Sequence, residues 1–385
     1  MFRVSQFMQE LVRPTPAVPR RNPPGPVVIW NLVRRCNLTC KHCYSISADK
    51  DFPGELTTEE IFRVMADLKA ARVPVLILSG GEPLLRPDIF AIGRQAKELG
   101  FYVGLSSNGT LVDEANVRAI AETGFDYVGI SLDGIQATHD RFRRKDGAYE
   151  AALNGVRLCK AAGAKVGIRF TLAQENAHDF PALLDLMEEE GIDKFYLSHL
   201  NYAGRGNKNR AGDAHFITTR AAMDLIFERA WAHVRAGWAS EFVTGNNDAD
   251  GAYLLDWVRR HFPDRAGHIR AKLAQWGGNA SGVNVANIDN LGVVHPDTMW
   301  WNYPLGNVRE RAFGAIWADT SDPLMAGLKQ ARRPVTGRCA ECAHRAICNG
   351  NTRVRAWQTT GDFWAEDPGC YLTDAEIGVE LETLT

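Results

Sequence analysis

Between residues 27 and 237 the chain alternates short apolar runs with amphipathic helical stretches, and this rhythm fixes its architecture. Six runs rich in β-branched and aromatic residues, at 27–32, 75–79, 102–106, 127–131, 165–170 and 194–200, are each followed by a segment of helical periodicity. Thr57 with Glu60 reads as a capping box before a helix over 61–71, and Asp113 opens a helix over 115–123. Strands that alternate with helices pair in parallel, because the helix supplies the right-handed crossover that returns the chain to the same edge. The expected fold class is α/β, a partial (β/α)6 barrel of the TIM type, with its chemistry at the carboxyl ends of the strands.

The 385 residues suffice for such a domain of roughly 200 residues and a smaller unit beside it. Residues 1–25, rich in proline and arginine toward their end, read as an extended arm, and 26–237 as the barrel. In 238–282 the alternation is lost, which suggests a helical linking region. Residues 283–385 are rich in Gly, Trp and Cys and carry a hairpin signal at Asp289-Asn290-Leu291-Gly292. The 44 Lys and Arg balance 46 Asp and Glu without a long run of one sign, so charge gives no reason to expect nucleic acid or a membrane as partner. No apolar run approaches the roughly 20 residues that span a bilayer, and no secretory signal pattern is evident, so a cytoplasmic location is expected.

Seven of the eight cysteines fall into two clusters and a follower, which suits metal ligation better than disulfides. Cys36-Asn-Leu-Thr-Cys40-Lys-His-Cys43 stands directly after the first strand. Three thiolates in one loop can hold three irons of a 4Fe-4S cubane and leave the fourth without a protein ligand, whereas zinc favours closed four-ligand sites. Gly80-Gly81-Glu82-Pro83 follows the second strand, where glycines let the backbone approach a ligand. Ser106-Ser107-Asn108-Gly109 and Ser131-Leu132-Asp133-Gly134 follow the third and fourth; singly these are turn formers, and their shared rim is what raises them. Cys159 lies on an amphipathic helix and reads as core. Cys339, Cys342 and Cys348 with Cys370 supply four thiolates, enough for a fully ligated second cluster or a four-cysteine zinc site.

C-x3-C-x2-C in the loop after the first strand of a βα domain resembles the radical S-adenosylmethionine (SAM) superfamily, over about residues 27–235. The resemblance implies that Cys36, Cys40 and Cys43 bind a catalytic 4Fe-4S cluster whose open iron chelates SAM, and that SAM cleavage yields a 5′-deoxyadenosyl radical. It implies SAM contacts at Ser79, Gly80, Gly81 and Glu82, the last on the amino group, with Asn108 and Ser131 near the methionine and ribose, Asp133 as a further cofactor-binding residue, and Arg143 on the carboxylate. At His42 it implies backbone packing on adenine rather than ligation.

The C-terminal cysteines resemble the SPASM or twitch extensions of the same superfamily, which implies one auxiliary 4Fe-4S cluster on Cys339, Cys342, Cys348 and Cys370. Asp297 and Thr352 stand where the full pattern has further cysteines. The Lys41-His42-Cys43-Tyr44 ending and the Tyr202-Ala-Gly-Arg-Gly loop look most like superfamily members of heme d1 biosynthesis. That likeness implies an iron-containing tetrapyrrole of the didecarboxysiroheme type, loss of propionate side chains on the way to oxo groups, and a low-potential donor such as flavodoxin or ferredoxin. Arg205, Lys208 and Arg210 are then candidates for gripping substrate carboxylates and His295 for the axial ligand of the substrate iron, beside Met299, Trp300, Trp301 and Tyr303. Two other readings stand beside this one. A peptide-modifying enzyme of the superfamily would often carry a peptide-binding domain, none being evident near residue 1; a non-catalytic iron-sulfur carrier or scaffold would not need the elements at 80–82 and 131–143.

Overall fold

The computed structural model describes residues 1–16 and 25–379. Ten strands form one sheet: β1 Val27–Asn31, β2 Val75–Ser79, β3 Tyr102–Ser107, β4 Tyr127–Ser131, β5 Val166–Leu172, β6 Lys194–His199, β7 Glu241–Gly245, β8 Val285–Ile288, β9 Val293–His295 and β10 Gly306–Asn307, in the order β10-β9-β8-β1-β2-β3-β4-β5-β6-β7. Strands β1 to β7 run parallel. Their outward side chains pack under helices: Phe170 of β5 stacks on Phe180 at 5.5 Å, with Phe195 of β6 beside them. The helix Thr58–Ala70 shows how sequence sets an element, since Thr57 and Glu60 close the capping box and Ile61, Val64, Met65 and Leu68 bury one face. Strands β1 to β6 lie within two residues of the expected runs. The Asp289–Gly292 turn does join β8 to β9 as an antiparallel pair. No helix among the described residues is long and apolar enough to cross a membrane.

Three expectations need correction. Residues 1–25 are not an extended arm throughout: Val4–Val12 is a helix that buries Val4, Phe7, Met8 and Leu11, and Phe2 pairs with Thr244 beside β7. Apolar spacing governs there, because the prolines begin only at Pro14; residues 17–24 lie outside the described residues. Residues 238–282 are not purely helical, since β7 extends the parallel ladder from β6; with a run of only Phe242 and Val243, its apolar signal is short. Residues from 283, expected as a smaller unit beside the barrel, join its sheet. Strand β8 pairs in parallel with β1, so the last quarter or so of the chain contributes to the main sheet.

Candidate active site

Leaving β1, the chain lays its first cysteine loop over the carboxyl ends of the strands. Close approach fixes its course: a side chain on Gly80 would strike the Val33 carbonyl, and one on Gly81 the Arg35 carbonyl. Gly81 and Glu82 donate their N–H groups to those same two carbonyls at 2.6 and 2.9 Å. Each sulfur faces a donor from a different part of the fold. Asn108 Nδ2 lies 3.8 Å from Cys36 Sγ, Arg143 Nη1 3.6 Å from Cys40 Sγ, and Ser45 Oγ 3.3 Å from Cys43 Sγ. Arg205 braces the loop, donating from Nε to the Cys40 carbonyl at 2.7 Å and from Nη1 to that of Ser47 at 2.9 Å, while its own N–H reaches the Cys43 carbonyl. Burial pushes the Cys36 thiol up to about 12 and raises Cys40. At Cys43 burial acts the same way but is outweighed by Arg205 and by hydrogen bonds from Ser45 and Ser47, so its thiol falls below the usual value.

Two buried nitrogens near these sulfurs, Arg143 Nε and Arg205 Nη2, have no hydrogen-bond partner among the described residues. A guanidinium donor at Cys40, the Arg205 charge near Cys43 and a neutral amide donor at Cys36 fit an anionic thiolate-bound cluster, in which iron stabilises the deprotonated sulfur.

The turns after β2, β3 and β4 meet beside this loop. Glu82 is fully buried; its Oε1 accepts from Leu84 N–H at 3.1 Å and Ser107 Oγ at 2.8 Å, and its Oε2 from Asn108 N–H at 2.8 Å. Those bonds use three of the roughly four acceptor directions of a carboxylate, and burial raises its carboxyl to about 7. Glu82 therefore ties two rim turns together. Asp133, expected near SAM, is wholly buried, accepting from Thr171 N–H at 2.6 Å and pairing with Arg143 at 2.5 Å. Arg143, expected on the SAM carboxylate, is thus committed to Asp133 and Cys40, because a buried guanidinium requires its own counter-charge. His42 stacks on Phe142 at 4.7 Å, and burial lowers it to about 4. Gly80, Gly81 and Ser131 stay half-exposed at the rim, with Ser79 just beneath and Asn108 beside Cys36.

Cys339, Cys342, Cys348 and Cys370 line one small cavity together with Arg338 and Arg345. Left-handed Asn349 and Gly350 reverse the chain directly after Cys348. Burial raises Cys342 and Cys348, and lifts Cys370 to about 11. Arg338 Nε and Arg345 Nε are buried without hydrogen-bond partners among the described residues, the same fit to an anionic group as at the first loop. Asp297 accepts from Met299 N–H at 2.7 Å in a local turn, and Thr352 donates its N–H to Asp367, fifteen residues on, at 3.2 Å. Cys159 is core.

The expected substrate contacts fare differently. Arg205 holds the cluster loop instead of facing a substrate. Arg210 reaches the Gln358 carbonyl and, with His199, Tyr202 and Asp213, lines a separate cavity of about 460 Å³, while Lys208 is exposed. The loop expected at 201–213 is largely helical, Gly204–Lys208 and Arg210–Gly212, which separates the three cations. His295 is 1% exposed, with Nδ1 2.9 Å from the Tyr303 carbonyl and Nε2 3.5 Å from Asp289, Nε2 having no hydrogen-bond partner among the described residues. Trp300 and Tyr303 pack with Trp357 and Phe363 as core. Half-buried Trp301, in contrast, stands 6.0 Å from Tyr44, whose hydroxyl accepts from Asn31 Nδ2 at 2.7 Å. Arg169 escaped the sequence reading, although it is the one charge within β5, and Tyr44 entered it only as the end of the Lys41-His42-Cys43-Tyr44 motif.

Comparison with known proteins agrees with this geometry. The radical SAM superfamily profile matches residues 30–187. Pre-heme d1 synthase of Dinoroseobacter shibae is 55% identical, covering 100% of this chain and 96% of that protein. Fe-coproporphyrin III synthase of Methanosarcina barkeri is 45% identical over 92% and 89% of the two chains, and an AdoMet-dependent heme synthase of the same organism is 28% identical over 89% and 95%. Among solved structures, Streptococcus suis SuiB bound to precursor peptide SuiA superposes with a TM-score of 0.72 at 16% identity, covering 91% of this chain and 76% of that one. Native anSMEcpe with bound AdoMet does so at 0.67 and 17%, covering 89% and 93%. Those two likenesses concern the fold. Whole-chain identity of 55%, with the profile match over residues 30–187, shows that this protein belongs to the radical SAM superfamily of enzymes, which use a 4Fe-4S cluster and SAM.

Proposed function

We propose that this enzyme acts in heme d1 biosynthesis, removing propionate side chains from an iron-containing tetrapyrrole of the didecarboxysiroheme type. The observation that carries this is 55% identity, over the whole chain, to a protein named pre-heme d1 synthase. Tyr44 and half-buried Trp301 beside the cluster loop supply flat surface suited to a macrocycle.

In this reading Cys36, Cys40 and Cys43 hold the SAM-binding cluster, and Cys339, Cys342, Cys348 and Cys370 an auxiliary 4Fe-4S cluster. When bound, the first cluster and SAM supply a 5′-deoxyadenosyl radical that can take hydrogen from an unactivated carbon. The protein's share is placement. Gly80 and Gly81 keep the β2 turn low enough for the methionine end of SAM, Ser131 offers its hydroxyl to the ribose, and Glu82 locks the adjoining turns. Asn108, Arg143 and Arg205 compensate thiolate charge. A low-potential flavodoxin or ferredoxin in the cytoplasm would deliver the electrons.

The test is anaerobic incubation of the reconstituted enzyme with didecarboxysiroheme, reductant and SAM, following deoxyadenosine and product mass. Deoxyadenosine release coupled to loss of two propionate groups supports the assignment. Identity of 45% to Fe-coproporphyrin III synthase favours a second reading, with iron coproporphyrin III as product, and the product mass separates the two. SAM cleavage without any change in the tetrapyrrole would remove both.

A further inference from the structure

Positive charge around the second cysteine set exceeds what carboxylates there cancel. Arg345 lines the cavity that Cys339, Cys342, Cys348 and Cys370 share. Its Nη1 and Nη2 donate to the carbonyls of Ala340 at 3.2 Å and Arg333 at 2.6 Å, and its Nε is buried without a hydrogen-bond partner among the described residues. Arg333, 0% exposed, donates to the carbonyls of Leu328, Asn279 and Ser281 and to Asn279 Oδ1. Buried Arg353 is likewise held by backbone carbonyls, those of Gly350, Asn351, Phe363 and Ala365. Among the described residues no carboxylate pairs directly with any of these three, whereas Arg338 has Asp374 and Arg355 has Asp367. Carbonyls orient a guanidinium but leave its unit charge in place.

Backbone contacts seat that charge against the cysteines. Arg333 donates its own N–H to Asn349 Oδ1 at 3.3 Å, directly after Cys348. Asn279, which the Arg333 guanidinium grips, donates its N–H to the Cys348 carbonyl at 3.4 Å, and a side chain on Gly278 would strike that same carbonyl. Asn279 also stands between Arg333 and Asp248, whose Oδ2 accepts from its Nδ2 at 2.9 Å, so this carboxylate offsets at most one of the three cations. At the first cysteine loop, in contrast, Arg143 has Asp133 as a direct partner.

We propose that Arg345 and Arg333 raise the reduction potential of the auxiliary cluster. Four thiolates make an oxidised 4Fe-4S cubane dianionic and the reduced one trianionic, so the incoming electron adds one negative charge to a site partly shielded from water. An uncancelled guanidinium stabilises the reduced state more than the oxidised one, as does an N–H group aimed at sulfur. Both arginines act through the surroundings of the cluster and are positioning residues. The inference rests on the reading of Cys339, Cys342, Cys348 and Cys370 as ligands of an auxiliary 4Fe-4S cluster.

The experiment uses the full chain carrying Cys36→Ala, Cys40→Ala and Cys43→Ala, reconstituted anaerobically, so that the auxiliary cluster titrates alone. Iron and sulfide content are measured first, then the reduced-state EPR signal against applied potential. R345Q, on a half-buried side chain, and R333Q, in the interior, should each keep the cluster and lower the reduced-to-oxidised ratio at fixed potential about tenfold, about 59 mV for one electron. R345K and R333K should recover most of that shift, which a purely structural role would not produce. If R345Q carries full iron and titrates as the parent does, the inference is overturned. Should R345Q lose iron, R333Q makes the same comparison; an unshifted potential there, or loss of the cluster from both glutamine variants, overturns it in favour of a structural role. A parent protein that takes up zinc, or no 4Fe-4S cluster, removes the auxiliary-cluster reading first and this inference with it.

Discussion

Arg205 approaches the first cysteine loop from a helix 165 positions away in sequence from Cys40, and it satisfies two carbonyls there that have little access to water. Arg205→Met leaves both unsatisfied, a local cost of about 1–3 kcal/mol each. The expected outcome is loss of iron and sulfide at the first cluster with the auxiliary cluster retained, measured by metal content and EPR of separately reconstituted variants. Arg205→Lys, which keeps charge without the fork, should recover part. Full iron content in the Met variant would refute the bracing role. Cys159→Ser provides the contrast: buried in the core, it should lower thermal stability by about 1–3 kcal/mol through an unsatisfied hydroxyl and leave both clusters intact. The first cysteine motif was legible because Cys36, Cys40 and Cys43 lie within eight residues of one another. Arg205, Arg143 and Arg169 were not, or were assigned other tasks, since what an arginine touches depends on contacts that only the fold makes.

At the scale of elements, strand and helix periods carried β1 to β6, while β7 was lost because only two of its residues are buried apolar ones. The helix Val4–Val12 was lost to the neighbouring prolines, and its docking has a titratable signature. Glu10 binds His268 Nε2 at 2.8 Å and Lys272 Nζ at 3.1 Å, and accepts from Thr15 N–H and Oγ1. Burial opposes ionisation, but the Thr15, His268 and Lys272 contacts prevail and hold the carboxyl at about 2, below its usual 4.5. Between those values the folded protein binds fewer protons than the unfolded chain, so stability rises with pH through that window. The contribution is complete above about pH 4.5 and lost as pH falls toward 2. Glu10→Gln should therefore cost about 1 kcal/mol at pH 7, after allowance for solvent screening, with faster amide exchange over 4–12, and the difference from wild type should shrink in acid. An equal difference at pH 7 and pH 3 would argue against the ionic account.

On the scale of the whole molecule, the two cysteine sites belong to one continuous sheet and its loops. Strand β8 pairs with β1 in parallel over four residues from Val27↔Val285 to Trp30↔Ile288, and the β8–β9 hairpin carries the chain toward the second cysteine cluster. Side chains stitch the same halves together: Arg355 reaches the carbonyls of Leu200 and Asn246, Asn351 meets Asn247, and Gln358 meets Asn207. A boundary near residue 283 looks natural in composition, yet cutting there would strip β1 of a partner and expose the buried faces of Ala286 and Ile288 contacts in the sheet. A chain ending at residue 282 is accordingly expected to be protease-sensitive and aggregation-prone. The full reconstituted protein should instead unfold in a single calorimetric transition whose midpoint falls when Cys348→Ser removes an auxiliary ligand, because loss of a bound cluster destabilises the fold that holds it. Two independent transitions, with the 282-residue chain folding and binding the first cluster alone, would show that the barrel is a separable domain and that its pairing with β8 contributes little.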